Sequence, residues 1–213
     1  MNQESQKQLT QSRWIWLTIA GWFIGVALVI GLGILAETIL QGKEGLGGQA
    51  LVGVGMGTGV GLMQWILLRK YLRSALNWLW CSILGFTVAY VAFDIVASFI
   101  TIGIDAGTIL PLATFIGALI SGWLQYAFVL KKSVANSKGW IVYNAVAWLL
   151  AHLLIIGIDL IKIPMQGGVM RVLIIILAFV FILIGGPLLG FITGRFIVPL
   201  INKQHRTNSS TNA

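Results

Sequence analysis

The chain has 213 residues, of which 58% are hydrophobic and only 9% charged, with a formal net charge of +8 and one cysteine. Soluble domains carry about 25% charge, so the composition excludes a water-soluble globule. A lone cysteine excludes an intrachain disulfide or a thiol metal cluster, and no nucleic-acid-binding motif accompanies the basic charge.

In chain order, six apolar runs are predicted to cross a hydrocarbon core of roughly 30 Å as helices rising about 1.5 Å per residue. They cover 14–39, 49–68, 78–102, 108–130, 140–160 and 171–200. The first is longer than the apolar region of a signal peptide, roughly 7 to 15 residues, and is read as a span. The joining loops are short. Residues 1–201 therefore read as one all-α membrane domain, and 202–213, rich in Ser, Thr and Asn, as a mobile polar tail.

An even number of spans puts both termini and the second and fourth loops on one side. That side receives Lys7, Arg13, Arg69, Lys70, Arg73, Lys131, Lys132, Lys138, Arg195, Lys203 and Arg206, eleven of the fourteen basic residues. Glu37, Glu44, Asp94, Asp105 and Asp159, five of the six acids, lie nearer the other side. The positive-inside rule then predicts cytoplasmic termini in a plasma or internal membrane of a bacterium. The same basic residues offer a grip on anionic lipid.

Three segments align without gaps. Trp14-Ile-Trp-Leu-Thr18-Ile-Ala-Gly-Trp22 matches Trp78-Leu-Trp-Cys-Ser82-Ile-Leu-Gly-Phe86 and Trp140-Ile-Val-Tyr-Asn144-Ala-Val-Ala-Trp148. Each opens an odd-numbered span, and its first Trp reads as an interfacial anchor. On the even spans, Gly61-Leu-Met-Gln64-Trp65 corresponds to Gly122-Trp-Leu-Gln125-Tyr126 and more loosely to Gly190-Phe-Ile-Thr193-Gly194. The unit is a helical hairpin repeated in parallel over about 14–77, 78–139 and 140–201. This permits a pseudo-threefold arrangement.

The pattern resembles a broad group of uncharacterised bacterial six-span membrane proteins with a Gly-x-x-Gln-Trp-x-x-Leu-Arg signature followed by a helix starting with Trp. The resemblance rests on Gly61, Gln64, Trp65, Leu68, Arg69 and Trp78, and is strongest over residues 57–86. The third unit departs from it, with Thr193 for Gln and Gly194 for Trp. The resemblance implies a six-span fold and no particular activity.

The glycines of the second span fail as a nucleotide loop. Thr58, Val60 or Leu62 falls where a dinucleotide fingerprint needs its third Gly, and no Gly-Lys-Ser/Thr follows. At helical spacing Gly53, Gly57 and Gly61 form one small-residue stripe, equivalent to Thr114, Ala118 and Gly122 and to Gly186, Gly190 and Gly194. Such stripes let helix backbones approach closely.

Thr18, Ser82, Asn144, Gln64 and Gln125, with Thr193 in the third unit, share a depth of roughly 6 to 9 Å inside the basic end. They are expected to form a structural polar layer. The alternative use is a gate or a headgroup site. Tyr90, Asp94 and His152 fall deeper, and ionisable groups there default to a functional hypothesis. Asp94 could instead pair with Arg171 or Lys162. Gly185-Gly186-Pro187 is expected to kink the last span.

No catalytic triad, carboxylate pair or metal-ligand cluster is legible. No cofactor is predicted; a single haem or pigment held by His152 is the one cofactor option. The reading is a non-catalytic structural, assembly or accessory component, with membrane lipids and other membrane subunits as partners. The alternative is a small-solute or ion transporter or channel using a polar site around Asp94, His152 and Tyr90.

Overall fold

The computed structural model describes residues 8–40, 48–99, 106–160 and 168–211. Every regular element among them is helical. Helix α1 is Gln11–Leu40, α2 is Gly48–Leu68, α3 is Ala75–Phe99 and α4 begins at Ala106–Gln125; α5 is Trp140–Leu160 and α6 is Gly168–Thr211. Their uninterrupted apolar composition explains the length of these helices, because in hydrocarbon each backbone N–H and C=O must be paired within the helix.

Five of the helices are long and apolar enough to cross a membrane: Gln11–Ile39, Gly48–Leu68, Ala75–Val96, Leu110–Ser133 and Phe179–Gln204. The chain is on this ground a multi-pass membrane protein by length and composition. The remaining predicted span, at 140–160, coincides with the 21-residue helix α5. Its side chains from 154 onward lie outside the described residues.

The helices close into a ring. Each packs on the next in sequence, α4 on α5 and α5 on α6, and α6 returns to α1. Two apolar clusters fill the interior. One, at the end rich in basic residues, contains Trp14, Leu68, Trp78, Leu130, Trp140 and Ile197. The other, further along the ring axis, contains Trp22, Val60, Phe86, Tyr90, Trp148 and Leu189.

Helix α4 ends unlike α2. Between Gln64 and Leu68 there are four residue steps, whereas Gln125 and Leu130 are five apart, although both leucines are fully buried in the same cluster. The extra residue is absorbed by a single wide turn at Tyr126–Leu130, where the Lys131 N–H reaches back five residues to the Tyr126 carbonyl. An α-helical continuation would rotate everything beyond Gln125 by about 100° relative to α2. The π-turn cancels that rotation. A short α turn, Lys131–Ser133, follows, and the chain reverses through Asn136 in the left-handed region at φ 57°, a conformation Asn tolerates better than most residues.

Two expectations are corrected at the basic end. Helix α6 continues through Thr211, so that 202–211 are helical where a mobile tail over 202–213 is expected. A two-way clip ties the start of this stretch to the residues before α1. The Leu9 N–H donates to Asn202 Oδ1 at 3.0 Å, and Asn202 Nδ2 donates to the Leu9 carbonyl at 2.8 Å. Arg206 adds a longer bond to Gln8 Oε1, at 3.3 Å.

The second correction concerns Trp14, Trp78 and Trp140. Sequence places them as interfacial anchors, yet all three are 0% exposed. The outward-facing aromatics are their near neighbours Trp16, at 67%, and Trp80 and Trp123, each at 55%.

Candidate functional site

The three buried indoles come from alternate helices α1, α3 and α5 and meet inside the ring. Trp14 stands edge-on to Trp78 and to Trp140, with centroids 6.4 and 6.3 Å away, while Trp78 and Trp140 are tilted at 5.1 Å. Edge-to-face contact places the positive ring rim on the negative ring face. A buried indole must also place its single donor. Trp14 Nε1 donates to Thr193 Oγ1 at 2.9 Å, Trp78 Nε1 to Gln64 Oε1 at 3.0 Å, and Trp140 Nε1 to Gln125 Oε1 at 2.7 Å. Each acceptor sits on a helix adjacent to the donor's, and the Trp14–Thr193 bond joins α6 to α1 across the ends of the chain.

The indole can only donate, so it fixes which way each amide points. The two glutamine NH₂ groups are left facing the preceding odd helix. Gln125 Nε2 donates to Ser82 Oγ at 2.9 Å, and Gln64 Nε2 reaches Thr18 Oγ1 at a weaker 3.5 Å. Ser82 passes its own proton to the Trp78 carbonyl at 2.9 Å, and Thr193 to the Leu189 carbonyl at 2.6 Å. Threonine is too short to span α6 and α5 as glutamine spans α2 and α1. Asn144 instead donates to the Ala118 carbonyl on α4, at 2.8 Å. The residues expected to form a polar layer are thus joined by hydrogen bonds through five helices plus the α6–α1 contact.

The small-residue stripes lie against neighbouring helices. A Cβ added at Gly53 would come 2.9 Å from the Phe86 carbonyl oxygen, and one at Gly57 would come 2.8 Å from that of Ser82. At Gly61 it would meet Ser82 Cβ at 2.7 Å. These distances are too short for any side chain, so α2 and α3 meet backbone to backbone. Gly190 faces the Ile15 backbone of α1 in the same way, while Gly186 and Gly194 face the side chains of Trp22 and Trp14. Trp22 lies over Gly185 and Gly186 and donates from Nε1 to the Ile182 carbonyl at 2.9 Å. The glycines of the Gly185-Gly186-Pro187 stretch thus make room for this indole.

Beyond the polar layer the axis is filled again. Trp148 contacts Trp22 at 5.7 Å and Phe86 at 4.4 Å between centroids. Next come Tyr90 and Asp94, each hydrogen-bonded to another group, and His152; among the described residues no hydrogen bond joins these three to one another. Tyr90 Oη lies 2.6 Å from Thr114 Oγ1. The Thr114 proton goes to the Leu110 carbonyl at 2.9 Å, so Tyr90 is the donor.

Asp94 Oδ2 accepts the Ala50 N–H at 3.0 Å. Ala50 is in the first turn of α2, where N–H groups have no intrahelical partner and an anion is favoured by the helix dipole. Asp94 therefore caps a neighbouring helix. The alternative partners, Lys162 and the Arg171 side chain, lie outside the described residues. His152 is buried with its ring edge-on to Trp22 at 6.3 Å, and its Nδ1 has no hydrogen-bond partner.

Among the described residues no three His, Cys, Asp or Glu side chains are grouped to hold a metal ion. At the basic end, Arg69 stacks over Trp65 at 5.5 Å and Arg195 over Phe191 at 4.9 Å. A cavity of about 370 Å³ opens there, lined by residues of the α2–α3 and α4–α5 connections and of α6.

The sequence does not single out the indole donors or the capping role of Asp94. The signal for the first was a Gln on an even span followed 14 or 15 residues later by the Trp that opens the next odd span. The second leaves none, because the acceptor's partner is a backbone N–H. Comparison with protein-family models, curated proteins and solved structures finds no match to this chain.

Proposed function

We propose that the chain is a six-span membrane protein of three tandem parallel hairpins, with both termini cytoplasmic, acting as a non-catalytic structural, assembly or accessory component that packs against other membrane proteins. The observation that carries this reading is the filled axis. The Trp14–Trp78–Trp140 cluster, the glutamine layer and the Trp22–Phe86–Trp148 cluster occupy successive levels inside the ring. An ion crossing there would find aromatic rings in place of groups able to replace its hydration shell.

The hydrogen bonds support the same reading. The chain Trp140–Gln125–Ser82 ends on a backbone carbonyl, as does Trp14–Thr193. A carbonyl accepts a proton bond but has no proton of its own to pass on, so the layer is a brace and not a proton wire. Asp94, the ionisable group most expected to mark a path, is engaged as a helix cap.

A carrier reading rests on one specific observation, the buried and unpartnered Nδ1 of His152. The two are separated by gentle solubilisation of the native membrane followed by sizing, with water-soluble thiol labelling of Tyr90→Cys in the Cys81→Ala background. The assembly reading expects a complex of fixed stoichiometry with other membrane chains and no labelling at position 90. A solitary chain that labels rapidly there would overturn it in favour of the carrier.

A further inference from the structure

The cavity at the basic end has two chemically distinct parts. Leu72, Val134 and Ile201 are buried residues of the apolar cluster and form its base. Arg73, Lys132 and Ser133 bring two cations and a hydroxyl to the same space, from two different connections between helices. The two acids whose side chains are described, Glu37 and Asp94, lie near the far ends of α1 and α3 and cannot neutralise them. Both cations are exposed. Among the described residues no carboxylate lines the cavity with them, so their charge is open to an anion there.

We propose that this cavity is a binding site for a phosphate-bearing group of net negative charge. The planar Arg73 guanidinium matches two phosphate oxygens at once, and the Lys132 ammonium adds a compact second charge. The Ser133 hydroxyl supplies a neutral donor. A volume of about 370 Å³ is within the range of small-ligand sites and accommodates a headgroup or a small phosphorylated solute. Basic recesses at helix ends are where anionic lipid headgroups are held. A soluble phosphate ester presents the same oxygens from the aqueous side. The inference goes beyond the assembly reading and does not depend on it, since the isolated chain carries the whole cavity.

The test uses the full chain in an uncharged detergent and native mass spectrometry with three probes: dioctanoyl phosphatidylglycerol, dioctanoyl phosphatidylcholine and inorganic pyrophosphate. One equivalent of phosphatidylglycerol or of pyrophosphate should bind saturably. Arg73→Gln and Lys132→Gln should each weaken it about fivefold, the effect of one cation near an anionic group. Arg73→Lys, which keeps the charge and loses the fork, should lose less. Lys138→Gln removes a cation from the same end but outside the cavity, and should leave binding unchanged.

Saturable binding of phosphatidylglycerol alone assigns the lipid source, and of pyrophosphate alone the soluble one. Equal weakening by Lys138→Gln would overturn the site, because it would reduce the effect to the charge of the whole face. Phosphatidylcholine binding as tightly as phosphatidylglycerol would overturn it too, as would the absence of a saturable equivalent of either anion.

Discussion

The two ends of the ring solve the problem of buried polar groups differently. At the basic end, donor and acceptor are matched residue by residue. Three indole N–H groups find three acceptors, the glutamine amides reach a second helix, and Asn202 clips the start of the chain to its last helix. From the middle of the ring outward, Gln49 Oε1, Thr87 Oγ1 and His152 Nδ1 are buried without partners. There α1 also leaves the bundle: Ile30, Ile34, Leu35 and Ile39 are exposed, and Cβ atoms at Gly31 or Gly33 would meet nothing within 4 Å. An unpaired buried polar atom costs about 1–3 kcal/mol. Among the described residues the matched side-chain bonds are therefore densest at the basic end, which is expected to be the more stable one.

The largest expected effect comes from the register of the basic end. Deleting Ile66 from α2 would rotate Leu67, Leu68 and the chain leading to Trp78 by about 100° away from the positions that fill the axis. We expect no monodisperse protein by size exclusion. Deleting Ala127 from the π-turn of α4 should do far less. It removes the residue the wide turn absorbs and restores the four-residue step seen between Gln64 and Leu68. If the two deletions behave alike in size exclusion and thermal melts, the π-turn is not a register device.

Trp140→Ala comes next. It empties a fully buried site and leaves Gln125 Oε1 without its donor. Large-to-small changes of this kind cost about 3–5 kcal/mol, which at ~2–4 °C per kcal/mol lowers the thermal midpoint by about 6–20 °C. Trp16→Ala, two residues after Trp14 on the exposed face, should shift it by no more than about 2 °C. Comparable losses for the pair would mean that the anchoring belt matters as much as the cluster.

Gln125→Ala is smaller again. It strands the Trp140 N–H and removes the bond to Ser82, for an expected loss of about 1–2 kcal/mol. The same change at Gln64 should cost less, because its second bond, to Thr18, is the long one at 3.5 Å. Thermal melts of both single variants and of the double check the order. A reversed order would place the stronger brace between α1 and α2.

Much of this was readable from residues. The first five apolar runs fall on helices whose described ends agree within a few positions, whereas the last run falls inside a longer helix. Thr18, Gln64, Ser82 and Gln125 are expected together from comparing aligned positions, and hydrogen bonds join them. What the sequence hid was direction. Trp14 and Trp16 look alike as aromatic residues beside a basic stretch, yet one is buried and the other faces outward. Only the phase of the helix against its neighbours separates them. The wide turn was hidden for a related reason, since one extra residue between Gln125 and Leu130 leaves the motif recognisable. Asp94 was legible as a charge at depth but not as a cap, because a first-turn N–H has no residue-type signature.

The smallest expected effect tests the other end of the ring. His152→Phe keeps an aromatic ring of similar size against Trp22 and removes the unpartnered Nδ1. If the imidazole has only a packing role, replacing a buried unsatisfied group by an apolar isostere should be neutral or stabilising, by about 0–1 kcal/mol. The midpoint would then rise by no more than about 4 °C. Gln125→Ala offers the contrast, since there both polar atoms removed were bonded. A clear fall in the midpoint of His152→Phe would mean that Nδ1 meets a water or an ion in solution. The outer half would then be as fully matched as the basic end, and its apparent looseness would reflect a bound group and not a surface kept free for a partner.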